Sequence, residues 1–428
     1  MITARHSREA GSKRFALRLL PLTALLALLC SCSTSRVAWA RRDFFAGRFE
    51  RAYEHLSAPV PARDRVLWLM ERGTILQAAG RFEESARDYI GAAGIVGDLE
   101  TYSISKGAAS LVINDAVQDF RGTPFERTLL HSMTALDHLA LGNWENAAVE
   151  ARRIIMSLDK ELIGDFPQDA FSRYLAGFCL EMVDDYSNAR LQYRLASQYS
   201  RGCGVDERTG RLQPPSANVA ADSSAAEGDC ELVFFALLGR SPTAYQVVNG
   251  RIPDLAAPYV EILADGKYLG RTCVLGDVGW LAAVTEQRLA LIKAGKTAAR
   301  VVVKEAVARS VARNTHSTAL GDLTRLVLIG LLETPDMRRW ETLPRWLEVA
   351  RVSAPCQIDR IEVRVRSAAG QLLKSFCLRV PIRRRRGLMV SFFRYPPLAP
   401  VVSQETDAAT RGRDGIVSRE SRHAATLQ

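Results

Sequence analysis

The chain lacks most of the signatures that announce an enzyme. Histidine is scarce: His6, His55, His131, His138, His316 and His423 are all there is in 428 residues. No HExxH, no GxSxG, no glycine-rich phosphate loop and no framed SxxK occurs, so the common hydrolytic and nucleotide-handling sites have no local basis. The eight cysteines are scattered, without CxxC or a histidine at ligand spacing, which argues against zinc; no cofactor is expected. Charge of one sign is not in great excess. The formal balance is +10, and the first 31 residues carry five bases and one acid, leaving about +6 for the rest. That is mild for this length and is not a nucleic-acid binder's footprint. A membrane-spanning run is missing too. The apolar stretch 19–29 has eleven residues, about 16 Å of helix, roughly half a bilayer core.

What is present starts with that stretch. Arg5, Arg8, Lys13, Arg14 and Arg18 precede it against the single acid Glu9, and a basic start before a short apolar core is a secretory signal. It ends in Leu29-Cys30-Ser31-Cys32, which resembles a bacterial lipobox with Cys32 in the modified position. The resemblance implies cleavage before Cys32 and a diacylglycerol on its thiol. One acyl chain binds a bilayer only marginally, at roughly 0.8 kcal/mol per buried CH₂, so two or three chains make a firm anchor. Ser33 rather than Asp follows, which by analogy with bacterial sorting implies the outer membrane, facing the periplasm. Residues 1–31 are thus read as signal peptide.

Residues 32–200 carry an internal echo. Gly47-Arg-Phe-Glu-Arg-Ala52, Gly80-Arg-Phe-Glu-Glu-Ser-Ala86 and Gly142-Asn-Trp-Glu-Asn-Ala-Ala148 share a turn residue, an aromatic two later and a small residue five or six later. Asp184-Asp-Tyr-Ser-Asn-Ala189 is a weaker copy. Each follows an apolar helical pattern, so the spacing predicts helix–turn–helix repeats of tetratricopeptide type. The turn residue accepts φ > 0 and ends the first helix, and the small residue lets two helices approach. Gly47 and Gly80 lie 33 apart, near the 34-residue period.

At 71–88, 103–127, 139–153 and 333–344 the chain resembles a family of bacterial tetratricopeptide-containing lipoproteins. The resemblance covers roughly 30–395 and implies a fold and a location without a particular activity. The chain departs from it in its long polar linker, in its C-terminal tail and in Asp184.

After Tyr199 the pattern stops. Residues 201–228, rich in Gly, Ser, Pro and Ala, read as a flexible linker. The apolar run 231–238 reads as a buried strand, and 259–263 with 268–273 around Ala-Asp-Gly as a hairpin. Helical patterns follow at 279–313 and 317–332. Strands are expected at 357–365, 372–380 and 388–393. Strands, then helices, then strands imply an α+β domain over 229–396, and 397–428 reads as disordered tail. The expected fold class is therefore α+β, with a helical repeat solenoid leading. In an oxidising compartment Cys356 with Cys377, or Cys203 with Cys230, could pair; free thiols are the competing reading.

Recognition rather than bond-making is the expected role: a lipid-anchored, non-catalytic adaptor whose concave repeat groove holds an envelope protein or peptide. Arg72, Gln77, His131, Thr134, Asp137, His138 and Arg173 punctuate the first helices and are the candidate contacts. His131 and His138 share a face but lie about 10 Å apart along the axis, too far to grip one ion alone. The alternative is ligand binding or catalysis in the α+β domain at Asp336, Arg338, Arg339 and Trp340, a cluster that could equally pack one domain on the other. The run 383–386, four arginines, could meet lipid phosphates or simply keep a strand edge solvated. Radiolabelled palmitate is expected to enter the wild-type chain and not Cys32→Ala, which should also leave the membrane fraction. A Cys32→Ala form that stays just as firmly membrane-bound refutes the anchor.

Overall fold

The computed structural model describes residues 36–60, 62–105, 119–213, 229–292, 336–378, 383–385 and 387–396. The signal, Cys32, the tail and most of the helical patterns expected at 279–332 lie outside them. The fold is α+β, with helices first and sheets in the C-terminal part. The helical part comprises α1 (36–45), α2 (Phe49–His55), α3 (Arg65–Ala78), α4 (Phe82–Ser105), α5 (Pro124–Leu141), α6 (Trp144–Ile163), α7 (Ala170–Glu181) and α8 (Tyr186–Tyr199). Among the described residues no helix is long and apolar enough to cross a membrane.

The sequence echo has a structural counterpart at each copy. Gly47, Gly80, Gly142 and Asp184 all sit between two helices with φ of 74°, 76°, 77° and 66°. Left-handed backbone ends the first helix at low cost for glycine, and Asp is one of the few side chains that tolerate it. The small residues five positions on, Ala52, Ser85, Ala147 and Ala189, are all buried. A further register emerges from the packing. Seven before each turn stand Ala40, Gly73, Ala135 and Gly177; nine after stand Leu56, Tyr89, Ala151 and Tyr193, all of these apolar side chains buried. Where the first position is glycine, the second is tyrosine. A Cβ on Gly73 would lie 2.5 Å from the Tyr89 ring, and one on Gly177 3.0 Å from the Tyr193 ring. The hairpins α3/α4 and α7/α8 fill their inner space with a ring from one side, while α5/α6 fills it with two alanines.

The C-terminal part is built of two sheets. One has the order β10-β11-β3-β7-β6, with strands Arg383–Arg385, Leu388–Tyr395, Asp229–Leu238, Trp346–Pro355 and Cys273–Asp277. The other has the order β5-β4-β8-β9, with strands Lys267–Arg271, Tyr259–Ala264, Ile361–Arg366 and Leu372–Leu378. Helix α9 (Ala244–Val248) and helix α10 (278–292) complete the part. Strand β3 is central and buried on both faces. Val233, Phe235 and Leu237 join a core with the helices, including Phe171, Tyr174 and Phe178. Leu232, Phe234, Ala236 and Leu238 join a second core with Val260, Ile262, Val363 and Val365 of the other sheet. Helices, five-stranded sheet and four-stranded sheet therefore stack as three layers. Each buried large side chain contributes about 1.5–3 kcal/mol, so β3 alone ties the layers strongly.

Three expectations need correction. Within the stretch read as a flexible linker, β1 (Gly204–Val205) pairs with β2 (Leu212–Gln213), and Cys203 and Val205 are buried against α8 and the sheet. A Gly/Pro count misses this, because the packing surface comes from elsewhere in the chain. Neither expected cysteine pair forms. Cys230 bonds Cys356, with Cα atoms 4.8 Å apart. The antiparallel register of β3 and β7 sets Cys230 opposite Ala354 and Asp229 opposite Pro355, next to Cys356. Cys377 instead faces Glu362 across β8 and β9. Strand β7, which carries Glu348 and Arg351, was not expected from the pattern at all.

The glycine–tyrosine exchange makes a quantitative prediction. Gly73→Ala should destabilise by about 1–3 kcal/mol in the native background and by far less in a Tyr89→Ala background, where the added methyl enters vacated space. Chemical denaturation of the four forms of this cycle measures it; equal cost in both backgrounds would show that the ring is not what excludes the methyl.

Candidate functional site

The first helices of the hairpins do face inward, but the space they face is filled by the same chain. Trp340 is fully buried. Its indole Nε1–H donates to Thr74 Oγ1 at 2.9 Å, and its backbone N–H donates to Glu126 Oε1 at 2.8 Å. The other Glu126 oxygen accepts the Thr123 N–H at 2.7 Å and so caps the start of α5, one carboxylate serving helix and clasp together. Phe392 of β11 meets Phe82 edge-on at 5.3 Å. Arg394, from the same strand, reaches Gln77 Oε1 at 3.3 Å.

The candidate contacts are accordingly occupied. Gln77 donates to Met133 O at 3.1 Å and to Asp137 Oδ1 at 2.9 Å. Asp137 is fully buried, which pushes its carboxyl well above the usual range, and burial lowers the nearby Arg394 guanidinium to about 10. Thr134 donates to Leu130 O within its own helix. Arg173 is 1% exposed and donates to Gln192, Asp159 and Gln168. Arg72 makes a two-pronged pair with Asp88, both contacts 2.7 Å. His138 is buried, and burial lowers its pKa. These residues hold the hairpins and the clasp together. A partner cannot reach Gln77, Thr134, Asp137 or Arg173 in this conformation. Inward-facing polar residues look alike in sequence whether a groove is open or filled.

The second cluster is also structural in its contacts. Arg339 pairs with Glu286 at 3.0 Å and Arg338 with Asp336 at 2.8 Å and Asp64 at 3.2 Å. The arginine run is engaged at two positions: Arg383 donates to Ala140 O at 2.6 Å near the end of α5, and Arg385 to Glu145 at 3.1 Å. A cation at a helix C-terminus is favourable by the helix dipole.

Of the repeat candidates, His131 lines a cleft. A cleft of about 220 Å³ lies across α4, α5 and α6, with an apolar floor from Val96, Leu130 and Phe166. Around it stand Arg127, His131, Arg153 and Lys160, opposed by Glu100 and Glu161. His131 Nδ1 lies 2.8 Å from Glu150 Oε2, and Arg153 pairs with the other Glu150 oxygen at 2.5 Å. Glu100 sits 3.5 Å from Arg127 and 3.6 Å from Lys160. Met156 projects from the rim, 61% exposed. Sequence reading missed the cleft because its walls come from the second helix of one hairpin and both helices of the next. Among the described residues no group of three or more His, Cys, Asp or Glu is placed to hold a metal.

Glu161 is the buried acid of the cleft. Burial raises its pKa to about 7, against the hydrogen bond from Thr128, which favours ionisation. Thr128 Oγ1 donates to Glu161 Oε1 at 2.5 Å. No family model matches the chain, and no curated protein matches it.

The raised carboxyl fixes a sign. The folded chain holds the Glu161 proton up to about pH 7, whereas the unfolded group releases it near 4.5. The folded state thus binds the extra proton in that window, and stability falls as pH rises through it. Asp169, raised to about 6, and Glu348, raised to about 8, act in the same direction. Glu161→Gln should raise stability at pH 8 by about 1–3 kcal/mol and make the pH 5 to pH 8 decline shallower. Urea unfolding at both pH values reads this out; an unchanged decline would mean that Glu161 ionises normally.

Proposed function

We propose that this chain is an outer-membrane lipoprotein of the periplasmic face, tethered through Cys32, and that it works as a non-catalytic adaptor for an envelope protein. In this reading the hairpins are tetratricopeptide-like repeats whose concave side is closed by the chain's own α+β domain. The partner is recognised instead at the cleft across α4, α5 and α6. The repeat assignment draws support from the shared left-handed turns and the common small-residue register. The cleft carries the functional reading: it combines an apolar floor with the basic side chains Arg127, Arg153 and Lys160, beside a groove that is already occupied. Such a surface suits a peptide segment bearing apolar and acidic side chains. A ligand site at Asp336, Arg338, Arg339 and Trp340 has less support, because Trp340 is buried and its neighbours are paired across the layers.

A photo-crosslinking residue in place of Met156, in the full chain in intact envelopes, is expected to capture one protein partner. Combined Arg127→Glu and Lys160→Glu substitution should abolish that capture while the chain stays folded. The same probe at Tyr186, exposed on α8 at 50%, should capture nothing. Capture that survives the charge reversal, or that is as strong from Tyr186, rules the cleft out.

A further inference from the structure

Helix α1 turns two unlike faces to its surroundings. Inward, Ala40 and Phe44 join a small core with Ala52, Trp68 and Ile75 of α2 and α3. Asp43, the only acid of the helix, is buried and is held by Arg48 at 2.6 Å and His55 at 3.0 Å. Arg41 reaches Glu71 at 2.6 Å and Glu341 at 3.2 Å. Outward stand Ala38, Trp39 and Arg42, all exposed, with Arg36 half-buried in the first turn. Trp39 is 51% exposed, and its ring lies 5.9 Å from that of His55. The outward side of α1 therefore shows a large aromatic and cations but no acid. Three residues, 33–35, separate this helix from Cys32. Four backbone steps span at most about 14 Å, whatever path they take.

We propose that the outward face of α1 lies against phospholipid headgroups, with Trp39 set into the membrane interface and Arg36 and Arg42 meeting headgroup phosphates. This rests on the lipid anchor at Cys32 and adds a second membrane contact beside the acyl chains. The short tether selects the bilayer over a globular partner, because it keeps the first turn of α1 within about 14 Å of the lipid-bearing residue. Indole combines an apolar body with one polar N–H, so tryptophan concentrates where headgroups meet acyl chains. Arginine beside it is attracted by anionic lipid. A single tether leaves the body free to swing about it; a tether with an adjoining contact sets an orientation. Helix α1 can pass that orientation on, since Arg41 joins it to α3 and to Glu341, next to the Trp340 clasp.

The test uses the full chain as isolated from its native envelope and returned to vesicles of phosphatidylcholine and phosphatidylglycerol, with or without bromine on the acyl chains. The mass of the peptide that contains Cys32 reports separately whether lipid is attached. The chain has six tryptophans, so the Trp39 signal is the difference between the wild type and Trp39→Phe. Brominated vesicles are expected to quench the wild type more strongly than Trp39→Phe. Arg36→Glu combined with Arg42→Glu should shrink that difference while near-ultraviolet circular dichroism stays unchanged. Equal bromine quenching of the wild type and Trp39→Phe, with lipid present on Cys32, overturns the contact and leaves the anchor standing. Quenching by aqueous acrylamide then shows whether water or a protein covers Trp39 instead. A bromine difference that the charge reversal does not move overturns the headgroup pairing. A Cys32 peptide without lipid overturns anchor and contact together.

Discussion

Strand β3 has no polar face along its inner seven residues. Leu232 through Leu238 are all fully buried, and in a strand successive side chains point to opposite sides. Such a strand is stable only if something apolar covers each side of it. The four-stranded sheet covers one side; the helical hairpins must cover the other. This single requirement consumes the inner surface of the helices. It explains why Phe171, Tyr174 and Phe178 of α7 turn their rings onto Phe235 at centroid distances of 6.0, 6.3 and 5.7 Å.

Polar joints then set how the layers meet. Arg351, with a side chain only 3% exposed, binds Glu181 of α7 at 2.8 Å and Glu231 of β3 at 2.6 Å. Arg41, on α1, reaches Glu71 of α3 at 2.6 Å and Glu341 at 3.2 Å. Loss of one partner from such a buried pair leaves a desolvated charge, and the penalty of about 3–5 kcal/mol falls on the misaligned arrangement. The apolar faces supply the attraction. The charges exclude neighbouring registers, since a shift of one residue along β7 would turn Arg351 away from both acids.

A helical array whose hollow is filled by its own chain leaves only its other faces open, and the proposed adaptor role must use one of those. The cleft across α4 to α6 lies where two hairpins abut, and among the described residues no strand lines it. The ribbon after α8 packs back on that helix and on β7.

Short-range patterns in the sequence were enough to locate the turns at Gly47, Gly80, Gly142 and Asp184, the buried run of β3, the β4–β5 hairpin and the β8–β9 pair. Each of these depends on the backbone preference of one residue or on a period of two over a few neighbours. The α+β class follows from their order along the chain. The tertiary structure alone decided that Gln77, Asp137 and Arg173 are buried, that Cys230 finds Cys356, and that β7 lies inside the sheet between β3 and β6 despite Glu348 and Arg351. A polar residue on an inward face has the same local pattern whether its partner is solvent or residue 394. Only long-range pairing, which is set by burial competing over the whole chain, supplies the partner.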